Sequence, residues 1–384
     1  MWYLRNKLKL ITMETFNEIE NKKQLEILQN KLNGYLTSKA MDVKEALEKF
    51  EQYNQFLNDY IVSTKAITYG VNSNADNNYI IAQFGNDVFR MHNNAVIQLS
   101  QKLGIPTNYI KNLLEMNQNW ANELAVQILN THTQNVERER LLVRAVNGYI
   151  LGMLSDSYRR LNSLEIFKAF LQEVSQYNAK IIDAYTGETR NFLEVIIPEI
   201  HTIVTEKNGV VHFAYGAQIR NSDFGNGALE VSTYKLVVKC LNGLTGQSLL
   251  KQVHLGKRLP DNLILSEETY KLDTMTMASA TKDVIRNVLS RDAFEKEKMK
   301  ILKASAVDVD FEEVISKLPQ YGVNKNEAKG IMSVLLKNDP NDGLEGSSTL
   351  WKFAQGMTAY ARDLDNKERK RDLMEVADKL LELK

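Results

Sequence analysis

Between Glu14 and Ile61 the apolar residues Leu25, Leu28, Leu32, Leu47, Phe50, Leu57 and Ile61 recur at helical spacing among charged and amide residues. That period gathers apolar side chains on one helix face, and Gly34 divides the stretch into two predicted helices. The pattern changes after a loop rich in Asn, Ser and Asp around Gly70–Asn78. Tyr79–Phe84 and Val88–Met91 read as a hairpin about Gly85-Asn86-Asp87. Two helices follow, Asn94–Leu103 and Thr107–Met116, joined by Gly104-Ile105-Pro106, with Thr107 or its neighbour as cap. The pair has the outline of a helix-turn-helix, but its second helix offers only Lys111 to DNA, so packing is the expected role.

From Leu141 the period becomes two. Leu141–Val146 and Tyr149–Leu154 flank Asn147-Gly148, a strong hairpin signal. Ser163 opens a helix to about Tyr177. Ile181–Tyr185, Phe192–His201, Val210–Arg220 and Leu229–Cys240 then follow one another across tight turns, which predicts an antiparallel meander. Pro198 lies inside one of these strands, so that strand is an edge or is bulged there. Helical spacing returns from Leu272 to Leu302 and again from Phe311 to Lys384, broken by the Gly, Asp, Asn and Ser of 338–348. The expected fold class is α+β: a central, mostly antiparallel sheet, a long following helix, and helical N- and C-terminal regions. The expected division is 1–62, 63–305 and 306–384, with a core about 140–253.

Composition adds limits. The chain has 384 residues, 43% hydrophobic, with 48 basic and 48 acidic residues, so any nucleic-acid surface has to be a local patch. A single cysteine, Cys240, forms no disulfide within the chain and points to a reducing compartment. No apolar run reaches the ~20 residues of a bilayer span. Met1–Ile11 is too short and mixed for a secretory leader. The expected location is the cytoplasm, of a host cell if the chain is phage-encoded, with no membrane partner.

Chemical motifs are few. Gly243-Leu244-Thr245-Gly246 lacks the Lys-Ser/Thr ending of a phosphate loop, and Gly225-Asn226-Gly227 leads into a strand rather than a helix N-terminus. Both read as turns. No Gly-x-Ser-x-Gly elbow is present, Cys240 has no evident activating partner, and no cofactor is implied. His212 and His254 converging with Asp223 and Glu230 would give a metal or acid/base site; lone histidines on strands are otherwise structural. The loop Asn221–Gly227 reads either as an ordinary hairpin loop or as a polar platform at the sheet edge.

Alternation supplies the binding hypothesis. Along Leu229–Cys240, Lys235 and Lys239 share a face, and along Val210–Arg220, Arg220 faces away from Phe213 and Tyr215. Arg144 lies in the hairpin, Arg159 and Arg160 follow it, and Arg140–Pro260 carries about four more basic than acidic groups. A basic face of Arg144, Arg159, Arg160, Arg220, Lys235 and Lys239, with Asn221 and with Tyr158 to stack on a base, suits a phosphate backbone. A solvated outer face gives the same alternation.

Ser155-Asp156-Ser157-Tyr158-Arg159-Arg160-Leu161, Ile219–Glu230 and Cys240-Leu241-Asn242-Gly243-Leu244, in that order and spacing, resemble the phage- and plasmid-borne family known as domain of unknown function 932. The stretch Thr349–Thr358 is similar to the tails of such proteins. The resemblance names no reaction; the family's place in mobile elements implies the handling of DNA. The architecture is also similar to phage single-strand annealing proteins, which form rings or filaments along DNA. The expectation is therefore a single-stranded DNA-binding or annealing protein without bond-making chemistry, homo-oligomeric through its terminal helices. The alternatives are a metal-dependent enzyme acting on nucleic acid and a module that binds a host protein.

Overall fold

The computed structural model describes residues 22–74, 77–137, 140–252 and 265–383. The fold is α+β, as the patterning predicts, but it holds two mostly antiparallel sheets rather than one.

The first sheet has the strand order β1-β5-β6-β4-β3-β2. Its strands are β1 (Leu57–Ser63), β2 (Thr68–Asn74), β3 (Asn77–Phe84), β4 (Asp87–Met91), β5 (Arg140–Val146) and β6 (Tyr149–Ser155). Leu57 and Ile61, expected on a helix, lie on β1, where they pair with Val146 and Leu142 of β5; the helical period and the strand period coincide over so short a segment. The predicted hairpin at Asn147-Gly148 forms, with both residues at positive φ of 50° and 79°. One face of this sheet packs on α3 (Asn93–Lys102), α4 (Thr107–Glu115) and α5 (Asn119–Asn135). Leu99, Leu103, Ile110 and Leu113 all point into that core, so the Gly-Ile-Pro helix pair is a packing element.

The second sheet runs β11-β10-β9-β8-β7, all antiparallel. Its strands are β7 (Lys180–Thr186), β8 (Asn191–Val204), β9 (Val210–Asn221), β10 (Leu229–Val237) and β11 (Asn242–Gln252). Pro198 falls where the β8–β9 register shifts, between Ile196 and Ile200, so the missing N–H costs no ladder bond there. β11 was expected to be a turn because of Gly243 and Gly246. Both glycines are on the strand because a Cβ would collide with the Tyr234 ring or with Thr233 of the neighbouring strand. One face of the sheet packs on α2 (Val43–Asn54), α6 (Ser163–Val174) and α7 (Glu267–Val288). The opposite face takes Leu28, Leu32 and Leu36 of α1 (22–39).

The predicted single helix of 272–302 is two, α7 and α8 (Arg291–Ala306), parted where Ser290 caps the second through its hydroxyl. The remaining helices, α9 (Phe311–Lys317), α10 (Lys325–Lys337), α11 (Leu350–Arg362) and α12 (Lys367–Leu380), do not form a separate unit. Trp351, Phe353, Met357 and Leu373 share one core with Phe213, Tyr215, Val237 and Leu244 of the second sheet. Among the described residues no helix is long and apolar enough to cross a membrane.

Candidate nucleic-acid interface

The cations expected to line an open sheet face are instead ion-paired, most of them beneath helices. Lys235 is fully buried, with its ammonium between Glu297 of α8 and Asp378 of α12. Arg220 is held by Glu230 and, at 2.7 Å, by Glu375 of α12. Arg144 is 1% exposed; its Nε donates to Asp59 at 2.7 Å and its guanidinium to the Asp223 carbonyl. Arg160 pairs with Asp59 and Glu267, and Arg159 forms a two-pronged pair with Asp273 at 2.6 and 2.5 Å. Lys239 is the most exposed of the six and pairs with Glu345 at 2.5 Å. Tyr158 is buried and donates to the Ser222 carbonyl at 3.1 Å, and Asn221 is buried with its amide on the Leu161 carbonyl. The register also sets Arg220 opposite Glu230 and Lys235 opposite Tyr215, so Arg220 and Lys235 lie on opposite faces of the second sheet rather than sharing one, Lys239 falls beyond the end of β10, and both faces are covered. Among the described residues the expected basic face does not form.

The expected metal constellation also fails to assemble. His212 bonds Thr202 at 3.0 Å, eight residues along β9 from Arg220, the partner of Glu230. Eight strand residues span roughly 26 Å at ~3.3 Å each, against ligand bonds of ~2 Å. Asp223 is buried at the start of α6, accepting from the Ser163 amide and from Asn191, both at 3.0 Å. His254 lies outside the described residues. Among the described residues, no three His, Cys, Asp or Glu side chains gather as metal ligands. Burial pushes the Cys240 thiol up to about 11, so the thiolate is scarce at neutral pH.

The Asn221–Gly227 loop is neither a plain hairpin nor an open platform. It joins the two sheets. Phe224 is fully buried against Val146 and Leu151 of the first sheet. Its carbonyl accepts from Gln98 at 2.7 Å, while Asn94 and Gln98 of α3 also bond the backbone of β6 at Leu151 and Met153. These amides replace the ladder that β4 supplies only at Arg90–Tyr149 and Met91–Ile150.

Where β4 meets β6, a cleft of about 580 Å³ opens. The parallel register sets Arg90 beside Tyr149, with Tyr79 on the neighbouring β3. Residues 80, 82, 89, 91 and 150 point into the first core, so Tyr79, Arg90 and Tyr149 point the other way. The Arg90 guanidinium lies 4.3 Å from the Tyr79 ring centre and 5.3 Å from that of Tyr149. Among the described residues no carboxylate pairs with Arg90, in contrast to the six cations above. Tyr149 stays 43% exposed. Amide side chains ring the cleft: Asn78, Asn93, Asn117, Asn122 and Asn147. At its edge His92 accepts from the Asn94 amide through Nδ1 and thereby caps α3. Its Nε2 therefore carries the proton and donates to Glu188 at 2.8 Å.

Sequence reasoning passed over this cleft because its members come from three strands joined by one parallel contact. The available signal was Arg90 itself, an arginine alternating with the core residues Phe89 and Met91. Comparisons of the chain with protein-family models, curated proteins and solved structures return no match.

Proposed function

We propose that the protein binds single-stranded nucleic acid without bond-making chemistry, through the Tyr79–Arg90–Tyr149 cleft. The reading is carried by one observation: a guanidinium set against two tyrosine rings, with no carboxylate paired to it among the described residues, in an open cleft ringed by amides with Glu188 at its edge. Each part has a use in that role. Tyrosine faces accept an unstacked base whatever its sequence. Arginine serves either as a second stacking plane or as a fork for a phosphate. Asparagine amides offer donors and acceptors to base edges that pairing has left free. A double helix hides those edges and faces, so the cleft suits an unpaired strand.

The test is fluorescence anisotropy with a labelled single-stranded oligonucleotide at low salt. Tyr149→Ala and Arg90→Ala are each expected to weaken binding by roughly 5- to 150-fold, the equivalent of about 1–3 kcal/mol per stacked base. Absence of binding by the unaltered protein at low salt ends the proposal.

A further inference from the structure

The tyrosine cleft carries opposite charges at its two ends. Tyr149 is level with Arg90 across the parallel contact. His92 keeps an extended backbone just past β4, so it lies on the same side as Arg90, roughly 7 Å on at ~3.3 Å per residue. Beyond His92, bonded to its Nε2 at 2.8 Å, comes Glu188 from the β7–β8 turn. Among the described residues that line the cleft, Glu188 is the only carboxylate. A guanidinium therefore stands beside the stacking rings, and a carboxylate stands about the width of a base away.

Glu188 has acceptor capacity to spare. Its side chain is 80% exposed, and His92 engages one of its two oxygens. Among the described residues no lysine or arginine pairs with it. Arg190, on the same turn, is directed to Asp372 at 3.6 Å and to the Asn226 carbonyl at 2.5 Å. Glu368, the other carboxylate close to this turn, does not line the cleft.

A carboxylate accepts hydrogen bonds and repels phosphate, so its natural partner on a strand is a base edge rich in donors. Guanine alone among the four bases presents two adjacent donors, N1–H and the 2-amino group, which match the two oxygens of a carboxylate as a fork. Its neighbouring edge carries O6 and N7, the pair of acceptors that an arginine fork takes. Adenine and cytosine offer one amino group beside a ring acceptor, and thymine one N–H between two carbonyls, so each sets an acceptor against the carboxylate.

Resting on the function proposed above, we infer that the cleft selects guanine. Tyr149 takes the face of the base, Glu188 accepts from N1–H and the 2-amino group, and Arg90 serves the O6 and N7 side. His92 positions the carboxylate from behind. The ligand is then a single strand with an unpaired guanine.

The test is fluorescence anisotropy on the full chain at low salt, with octadeoxynucleotides that are abasic except at one internal position. That position carries guanine, adenine or hypoxanthine, which is guanine without the 2-amino group. The guanine ligand is expected to bind about 5- to 10-fold more tightly than the adenine one, the low end for a two-pronged base contact because Glu188 stays in water. The hypoxanthine ligand should fall between them. Glu188→Gln should bind the guanine and adenine ligands alike, since an amide sets a donor against one of guanine's two. Equal affinity of the unaltered protein for guanine and adenine, or a preference that survives Glu188→Gln, overturns guanine selection; the first reading then stands if Tyr149→Ala still weakens binding. Guanosine monophosphate bound as tightly as the guanine octanucleotide would make the ligand a free nucleotide and overturn the strand. Binding of none of these ligands by the unaltered protein removes both proposals together.

Discussion

Asp378 shows how a single buried charge depends on its partners. Its carboxylate takes the ammonium groups of Lys235 and Lys300 at 2.5 and 2.8 Å, with Glu297 alongside. Burial opposes its ionisation, but Lys235 and Lys300 outweigh that cost and hold the carboxyl below its usual range. A carboxyl lowered in the folded state stabilises the fold fully above its unfolded value of ~3.9 and loses that contribution as pH falls through the folded value. Asp378→Asn should therefore cost about 3–5 kcal/mol at pH 7, the usual effect of removing one member of a buried ion pair. The gap to the unaltered protein should stay constant from pH 7 to about 5 and narrow only below ~4. Urea unfolding at a series of pH values checks this, and a gap that widens toward acid contradicts it. The same buried geometry explains why these cations could be misread from sequence. Alternation assigns Lys235 to a face of β10 without saying what covers that face, and its two carboxylates lie 62 and 143 residues away along the chain.

The connecting loop Asn221–Gly227 sets the relation between the two sheets. Phe224 packs on Val146 of β5 and Leu151 of β6, and a Cβ added at Gly152 would touch the Phe224 carbonyl at 3.3 Å. Gly225 is at φ +73° and faces Leu154 at a distance that leaves no room for a side chain. Phe224→Ala should cost about 3–5 kcal/mol, the range for emptying a buried aromatic site. Thermal melting checks it, and a loss under ~1 kcal/mol would show that the loop merely rests on the first sheet. At this scale the sequence was partly legible. Asn147-Gly148 and Pro198 announce a turn and a bulge because each acts through its own backbone. β11 was hidden because its glycines answer to side chains on β10 rather than to a turn. The Tyr79–Arg90–Tyr149 cleft was hidden because it needs a parallel pairing between strands separated by three helices.

Across the whole molecule, the regions expected to be separate share cores. Helices α9 to α12 close over β9, β10 and β11, and α12 binds the second sheet with ion pairs from Arg371 to Asp183 and Glu194. The Phe224 loop ties that sheet to the first. Unfolding by urea, followed by circular dichroism and by tryptophan fluorescence, should therefore give coincident transitions. The described tryptophans, Trp120 and Trp351, report the helices of the first sheet and the C-terminal core respectively. Two separated transitions would mean that the sheets fold independently. The class of fold was readable from the alternation between periods of 3.6 and 2, whereas the joining of the parts was not, since long-range pairing leaves no local trace.

The ion pairs of α12 also bear on the order in which the chain is made. Lys235 leaves the ribosome 143 residues before Asp378. At ~5–20 residues per second that is a wait of about 7–30 s. Glu297 follows Lys235 after only 62 residues, so for the rest of that interval the buried ammonium has one of its two carboxylates. The lysine site of β10 is thus half-matched until α12 is made, and the last helix supplies the carboxylate that completes it.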